Sequence, residues 1–178
     1  MTKTSSRHGK RHGMTRRELL TRSAVLSAAF VVGPGFVAGS SAAWAMDVKH
    51  IKPGTMATLI QMARDIYPHD HVADEFYAAA VKGYDNADQA AFVEEGIAAL
   101  DAAAVGAGNP SYLGTGWERD RVDILRGMDS SPFFQTIRGG LITGLYNQKA
   151  VWPLFGYEGE SYSKGGYIDR GFDDINWI

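Results

Sequence analysis

Apolar residues recur at three- and four-residue spacing in stretch after stretch of this chain, and no stretch alternates with β-branched enrichment. That periodicity restricts the fold to packed helices. Pro53 opens the first stripe, at a position where a missing N–H costs nothing. Met56, Leu59, Ile60, Ala63 and Ile66 follow it. Pro68 disfavours helix at Tyr67 and closes the element. Val72, Phe76 and Ala79 or Ala80 mark a second helix ending near Gly83, with Asp74 and Glu75 near its N-terminal end, where negative charge is favoured. A third spans about 88–105, with Val93, Ile97, Leu100 and Ala104 as its stripe. The Gly-rich residues 106–116 form a loop containing the turn signal Asn109-Pro110. Residues 117–127 predict a short fourth helix, with Val122, Ile124, Leu125 and Met128 inward. Ser130-Ser131-Pro132 starts a fifth, which carries Phe134, Ile137, Leu141 and Leu145 on one face. Gly139, Gly140 and Gly144 each weaken that helix by roughly 1 kcal/mol relative to Ala. Such a cost points to another backbone passing close by. The expected fold is all-α: a small, irregular bundle of about five helices with a long C-terminal tail, aromatic, Gly-rich and mostly irregular.

The first 45 residues read differently. Arg16 and Arg17 sit directly before Glu18-Leu19-Leu20, and a soft apolar run follows from about Ser23 to Val37. Ala43-Trp44-Ala45 then supplies a small-residue cleavage site that would leave Met46 first. Basic, apolar and small-residue regions in that order make a secretory signal, and the arginine pair points to twin-arginine export. A spanning helix needs about 20 apolar residues, and Gly33-Pro34-Gly35 interrupts a shorter run. An uncleaved anchor is the alternative. Cleavage would leave 133 of the 178 residues, enough for one domain with a core. Seven of the 18 basic residues but only one of the 20 acidic ones lie in the leader, so the remainder has a net charge of −8. An acidic body argues against nucleic acid as a partner. The absence of cysteine excludes disulfides, c-type haem attachment, Cys-ligated clusters and thiol catalysis within the chain.

The expected organisation is a signal at 1–45, a helical domain at 46–149 and a tail at 150–178. Seven aromatics fall in the 29 tail residues, against ten in the preceding 104. They are Trp152, Phe155, Tyr157, Tyr162, Tyr167, Phe172 and Trp177, with five glycines interleaved. Ordering such a segment costs chain entropy and needs a surface on which the rings can be buried. Up to Tyr157 that surface is either the chain's own core or a partner. Beyond Tyr157 the pattern favours a partner.

Candidate chemistry is sparse. His69 and His71, with Asp70 and Asp74 nearby, are weak candidates for a metal site. Hydrogen bonding at the exit of the first helix is their ordinary use. Nucleophile-elbow, HExxH, P-loop and dinucleotide motifs are absent. No catalytic or cofactor-binding residue is assigned.

Several stretches together carry a likeness. The twin-arginine leader, Asp65-Ile66-Tyr67-Pro68-His69-Asp70, and an ending with Tyr146-Asn147, Val151-Trp152, Gly156-Tyr157-Glu158-Gly159-Glu160-Ser161, Lys164-Gly165-Gly166-Tyr167 and Arg170-Gly171-Phe172-Asp173-Asp174-Ile175 resemble the gluconate 2-dehydrogenase subunit 3 family. The resemblance implies a small, non-catalytic subunit of a heterotrimeric, membrane-associated sugar or polyol dehydrogenase. In such a complex an FAD-containing flavoprotein of the glucose–methanol–choline type oxidises the substrate. A multihaem cytochrome c subunit passes the electrons to quinone. The small subunit would bind and mature the flavoprotein and export it to the periplasm through the twin-arginine translocase. The expected interface is Trp152, Phe155, Tyr157, Tyr162, Tyr167, Arg170, Phe172 and Trp177. A stand-alone periplasmic metal- or ligand-binding helical protein is the alternative.

Overall fold

The structure, a computed structural model, describes residues 48–170 and 172. Arg16, Arg17, Ala43, Ala45 and Trp177 lie outside the described residues.

Among the described residues five α-helices follow one another: α1 (Pro53–Ile66), α2 (Asp74–Val81), α3 (Ala90–Gly106), α4 (Glu118–Gly127) and α5 (Pro132–Tyr146). Single 3-10 turns cover Lys82–Tyr84, Trp152–Phe155 and Tyr162–Lys164. The described residues contain no strand. The all-α expectation holds.

The first helix is the hub. α1 touches each of the other four helices, and Thr55 to Ile60, Met62, Ala63 and Asp65 are all buried on it. A helix buried nearly all round belongs at the centre of a bundle. Its N-terminus has no side-chain cap of its own. Borrowed carboxylates serve instead. Glu94 on α3 accepts from the Lys52 N–H at 2.6 Å, and Asp85 accepts from the N–H groups of Lys49, His50 and Ile51 at 2.8, 2.7 and 3.1 Å. Glu94 thus pairs the N–H of the residue just before the helix, and Asp85 pairs those of the three residues leading into it. Burial works against the Asp85 charge, yet those three bonds hold its carboxyl below the ordinary value.

Helix α5 begins as its sequence predicts. Pro132 occupies the first turn, and the Ser131 hydroxyl accepts from the Phe134 N–H at 3.2 Å. Its buried residues are Phe133, Ile137, Leu141 and Leu145. Phe133 is buried in the core, and Phe134 is half-buried and packs against it. The Phe133 ring fills the space where a side chain at Gly96 of α3 would stand, 2.1 Å from an ideal Cβ. In α2 Tyr77, Ala78 and Val81 are buried, Phe76 and Ala80 are half-buried and pack against the core, and Ala79 is exposed. Val72 is buried too, but in the turn ahead of that helix. In α4, Ile124 and Leu125 are buried while Val122 and Met128 are half-buried.

The three glycines of α5 have three different surroundings. A Cβ at Gly144 would stand 2.8 Å from the Ala80 backbone oxygen of α2. At Gly140 it would meet the Tyr84 hydroxyl at 2.0 Å, and at Gly139 it would meet nothing within 4 Å. The close backbone expected from the sequence exists at Gly144 alone. Gly139→Ala should therefore stabilise the fold by up to about 1 kcal/mol through helix propensity. Gly144→Ala should cost about 1–3 kcal/mol, because a backbone oxygen cannot swing aside. Urea denaturation of the two variants checks the opposite signs.

Candidate functional site: the histidine turn and the aromatic tail

The turn leaving α1 carries Tyr67-Pro68-His69-Asp70-His71, and buried groups fix its path. Tyr77, fully buried on α2, donates its hydroxyl to the Tyr67 carbonyl at 2.6 Å. Arg64 donates to the Val72 carbonyl at 3.4 Å and pairs with Asp74 at the start of α2. On α5 the Tyr146 hydroxyl lies 2.6 Å from His69 Nε2, and its ring meets that of Tyr67 edge-on at 5.7 Å.

The same turn seats the root of the tail. The Phe155 ring packs edge-to-face on His69 at 4.9 Å, on His71 at 5.0 Å and on Tyr146 at 5.7 Å. His69 and His71 thus come together, their ring centres 5.8 Å apart. One His69 nitrogen is already engaged by Tyr146, and both imidazoles hold a phenyl ring. Among the described residues no group of three or more His, Cys, Asp or Glu is placed to hold a metal ion.

Burial first, and the neighbouring His71 second, pull the His69 pKa below its ordinary 6.5. The folded chain then binds fewer protons than the unfolded one around that pH. The stability contributed by neutral His69 is complete above 6.5 and falls away as the pH drops below it. The urea midpoint should decline from about pH 7 to pH 5, and His69→Gln should flatten that decline.

A cleft of about 310 Å³ opens beside the turn, lined by Arg64, Asp65, His69, Asp70, Glu118 and Arg121 among others. Its floor is a buried ion pair. Arg121 of α4 donates from Nε and Nη2 to the two Asp65 oxygens at 2.7 and 2.9 Å. Tyr112, fully buried, donates to Asp65 at 2.6 Å, and Gln61 donates to it at 3.0 Å. Burial, then the charge and hydrogen bond of Asp65, push the Tyr112 phenol far up, so it stays a donor. Burial opposes the Arg121 charge, but the bond to Asp65 and the Asp65 charge together raise its pKa. Both guanidiniums in the cleft pair with carboxylates, Arg64 with Asp74 and Arg121 with Asp65.

Past the turn at Trp152–Phe155 the chain changes character. Val151 is fully buried and joins the tail to the body. Trp152 is half-buried; its Nε1–H donates to the Tyr146 carbonyl at 2.8 Å, and its ring meets Tyr157 edge-on at 5.2 Å. Gly159 is buried close against that ring. Tyr157 is 50% exposed, Tyr167 63%, Phe172 77% and Tyr162 94%. Arg170 is half-buried and paired with Glu158. Trp152 and Tyr157 thus stand together, Phe155 sits in the histidine seat, and Tyr162, Tyr167 and Phe172 project outward. Leu154 at 42% and Ile168 at 83% join the exposed apolar group, and neither stood out in the sequence.

Comparison of the chain with protein-family models, with curated proteins and with solved structures finds no match.

Proposed function

We propose that this chain is the non-catalytic small subunit of a heterotrimeric, FAD-dependent sugar or polyol dehydrogenase, of the gluconate 2-dehydrogenase subunit 3 type. It binds the flavoprotein, matures it and carries it to the periplasm on its own twin-arginine signal. A multihaem cytochrome c takes the electrons onward in the assembled complex. FAD and haem c belong to those partners.

One observation carries this reading. Tyr162, Tyr167, Ile168 and Phe172 stand more than 60% exposed within a short stretch of tail. Large exposed apolar side chains in one segment mark an interaction surface, and tyrosine is among the residues interfaces favour. Both arginines of the cleft pair with carboxylates, Arg64 with Asp74 and Arg121 with Asp65. The test is flavin-loaded, periplasmic activity of the large subunit expressed with and without this chain.

A further inference from the structure

Residues 48–52 are fastened to the body before the first helix begins. Val48 packs against the core, and Ile51 belongs to it at 5% exposure. Asp85 takes the N–H groups of Lys49, His50 and Ile51, three in succession, on its two oxygens. Glu94 takes the Lys52 N–H and also pairs with the Lys52 ammonium at 3.1 Å. Bonds from N–H groups to a carboxylate are stronger than neutral ones. Neither carboxylate stands on a loose element. Asp85 closes the 3-10 turn Lys82–Tyr84, its own N–H donating to the Lys82 carbonyl. The Tyr84 hydroxyl donates to the Thr136 carbonyl of α5 at 3.1 Å. Glu94 belongs to α3.

The expected cleavage point lies close to this clasp in the chain. Met46, Asp47 and Val48 alone separate the bond after Ala45 from the Lys49 amide that Asp85 holds. Three residues reach about 10 Å at full extension. A peptidase acts on opened chain on both sides of the bond it cuts, so cutting a folded protein waits on local opening. Here the chain beyond the bond is packed at Val48 and hydrogen-bonded from Lys49 onward.

We propose that the Asp85–Glu94 clasp gates removal of the leader: the bond after Ala45 is cut only while residues 48–52 are off the body, so the folded chain keeps its leader. The proposal rests on the reading of residues 1–45 as an export signal, and it adds what decides that signal's fate. The gated step is hydrolysis. Water adds across the Ala45–Met46 amide and the C–N bond breaks, leaving a carboxylate on Ala45 and an amine on Met46. A signal peptidase supplies that chemistry, and this chain supplies the resistance to it. A closed clasp turns the leader into an uncleaved anchor.

The test incubates the purified full-length chain, in detergent micelles, with a membrane signal peptidase that reads small residues at A-x-A sites, and follows conversion by mass. The wild type is compared with Asp85→Ala and with a form carrying about eight Gly and Ser residues inserted between Asp47 and Val48. The insertion leaves every clasp bond in place and moves the cut site away from the body, so it stays informative should Asp85→Ala lose stability. Asp85→Ala should be cut about tenfold faster than the wild type, and the inserted form at least as fast. Hydrogen exchange in Asp85→Ala should quicken at residues 49–51 and stay unchanged in α5. Equal cutting of the wild type and the inserted form overturns the gate. A fast inserted form beside an unaccelerated Asp85→Ala shows that crowding by the body, not the clasp, protects the bond, and overturns the proposal. Exchange that quickens throughout Asp85→Ala assigns its cutting to general unfolding and overturns the role of the clasp. No cutting of the inserted form overturns the proposal together with the cleavable leader. The escort reading is decided separately, by flavoprotein activity with and without this chain.

Discussion

Asp65→Ala should destabilise the folded chain by about 3–5 kcal/mol, the usual penalty for leaving a buried charge without its partner. The Asp65 side chain is 2% exposed and that of Arg121 is 13% exposed. Removing the carboxylate strands four donor groups, two on Arg121 and one each on Tyr112 and Gln61. Arg121→Met should cost a similar amount, because it strands the carboxylate instead. Joint replacement by apolar residues of similar volume should cost far less than the sum of the single changes. Tyr112→Phe should cost about 1.5–3 kcal/mol, as expected for one bond to a charged acceptor. The exposed pair between Arg126 and Asp123 makes the same kind of contact, and its loss should barely register. Chemical denaturation of these variants checks the order. Asp65→Ala within about 1 kcal/mol of wild type would show that the pair contributes little to the bundle.

The helices themselves were legible because each stripe obeys the helical period and the punctuation is strong. Pro53 and Pro132 open two of them, and Ser131 caps the second as its type predicts. The side facing inward was less legible. Phe133 and Phe134 differ by about 100° on the helix, and the choice between them depends on Gly96, nearly forty residues earlier in the chain. The hub role of α1 was hidden for a similar reason. Thr55, Thr58 and Asp65 read as surface residues until four neighbouring helices cover them. Asp65 lies inside the very motif that carried the family likeness, yet its partner Arg121 is 56 positions away, and no local pattern joins them. A carboxylate on the otherwise buried face of a stripe was the signal to follow.

The tail shows the converse. Its composition announced a need for a surface, and the structure divides that need in two. Val151 is buried and Trp152 half-buried at the end of α5, while Phe155 packs on the histidine turn and stays 41% exposed. Tyr162, Tyr167 and Phe172 find little cover among the described residues. His69 and His71, weak metal candidates by spacing, both pack on Phe155, the ring that roots the tail.

The second large effect concerns the partner. A subunit that escorts a folded flavoprotein must supply both the export signal and the grip, so losing either should strand the cargo. Arg16→Lys with Arg17→Lys would remove the proposed signal and leave the tail intact, so both polypeptides should accumulate together in the cytoplasm. Truncation before Tyr157 removes the grip and spares the signal, so this chain should travel alone. The most direct measurement expresses the flavoprotein with and without this chain and assays flavin-loaded dehydrogenase activity in the periplasm. Activity that is present with the chain and falls to background without it is the result expected of an escort; equal activity in both cultures would contradict it.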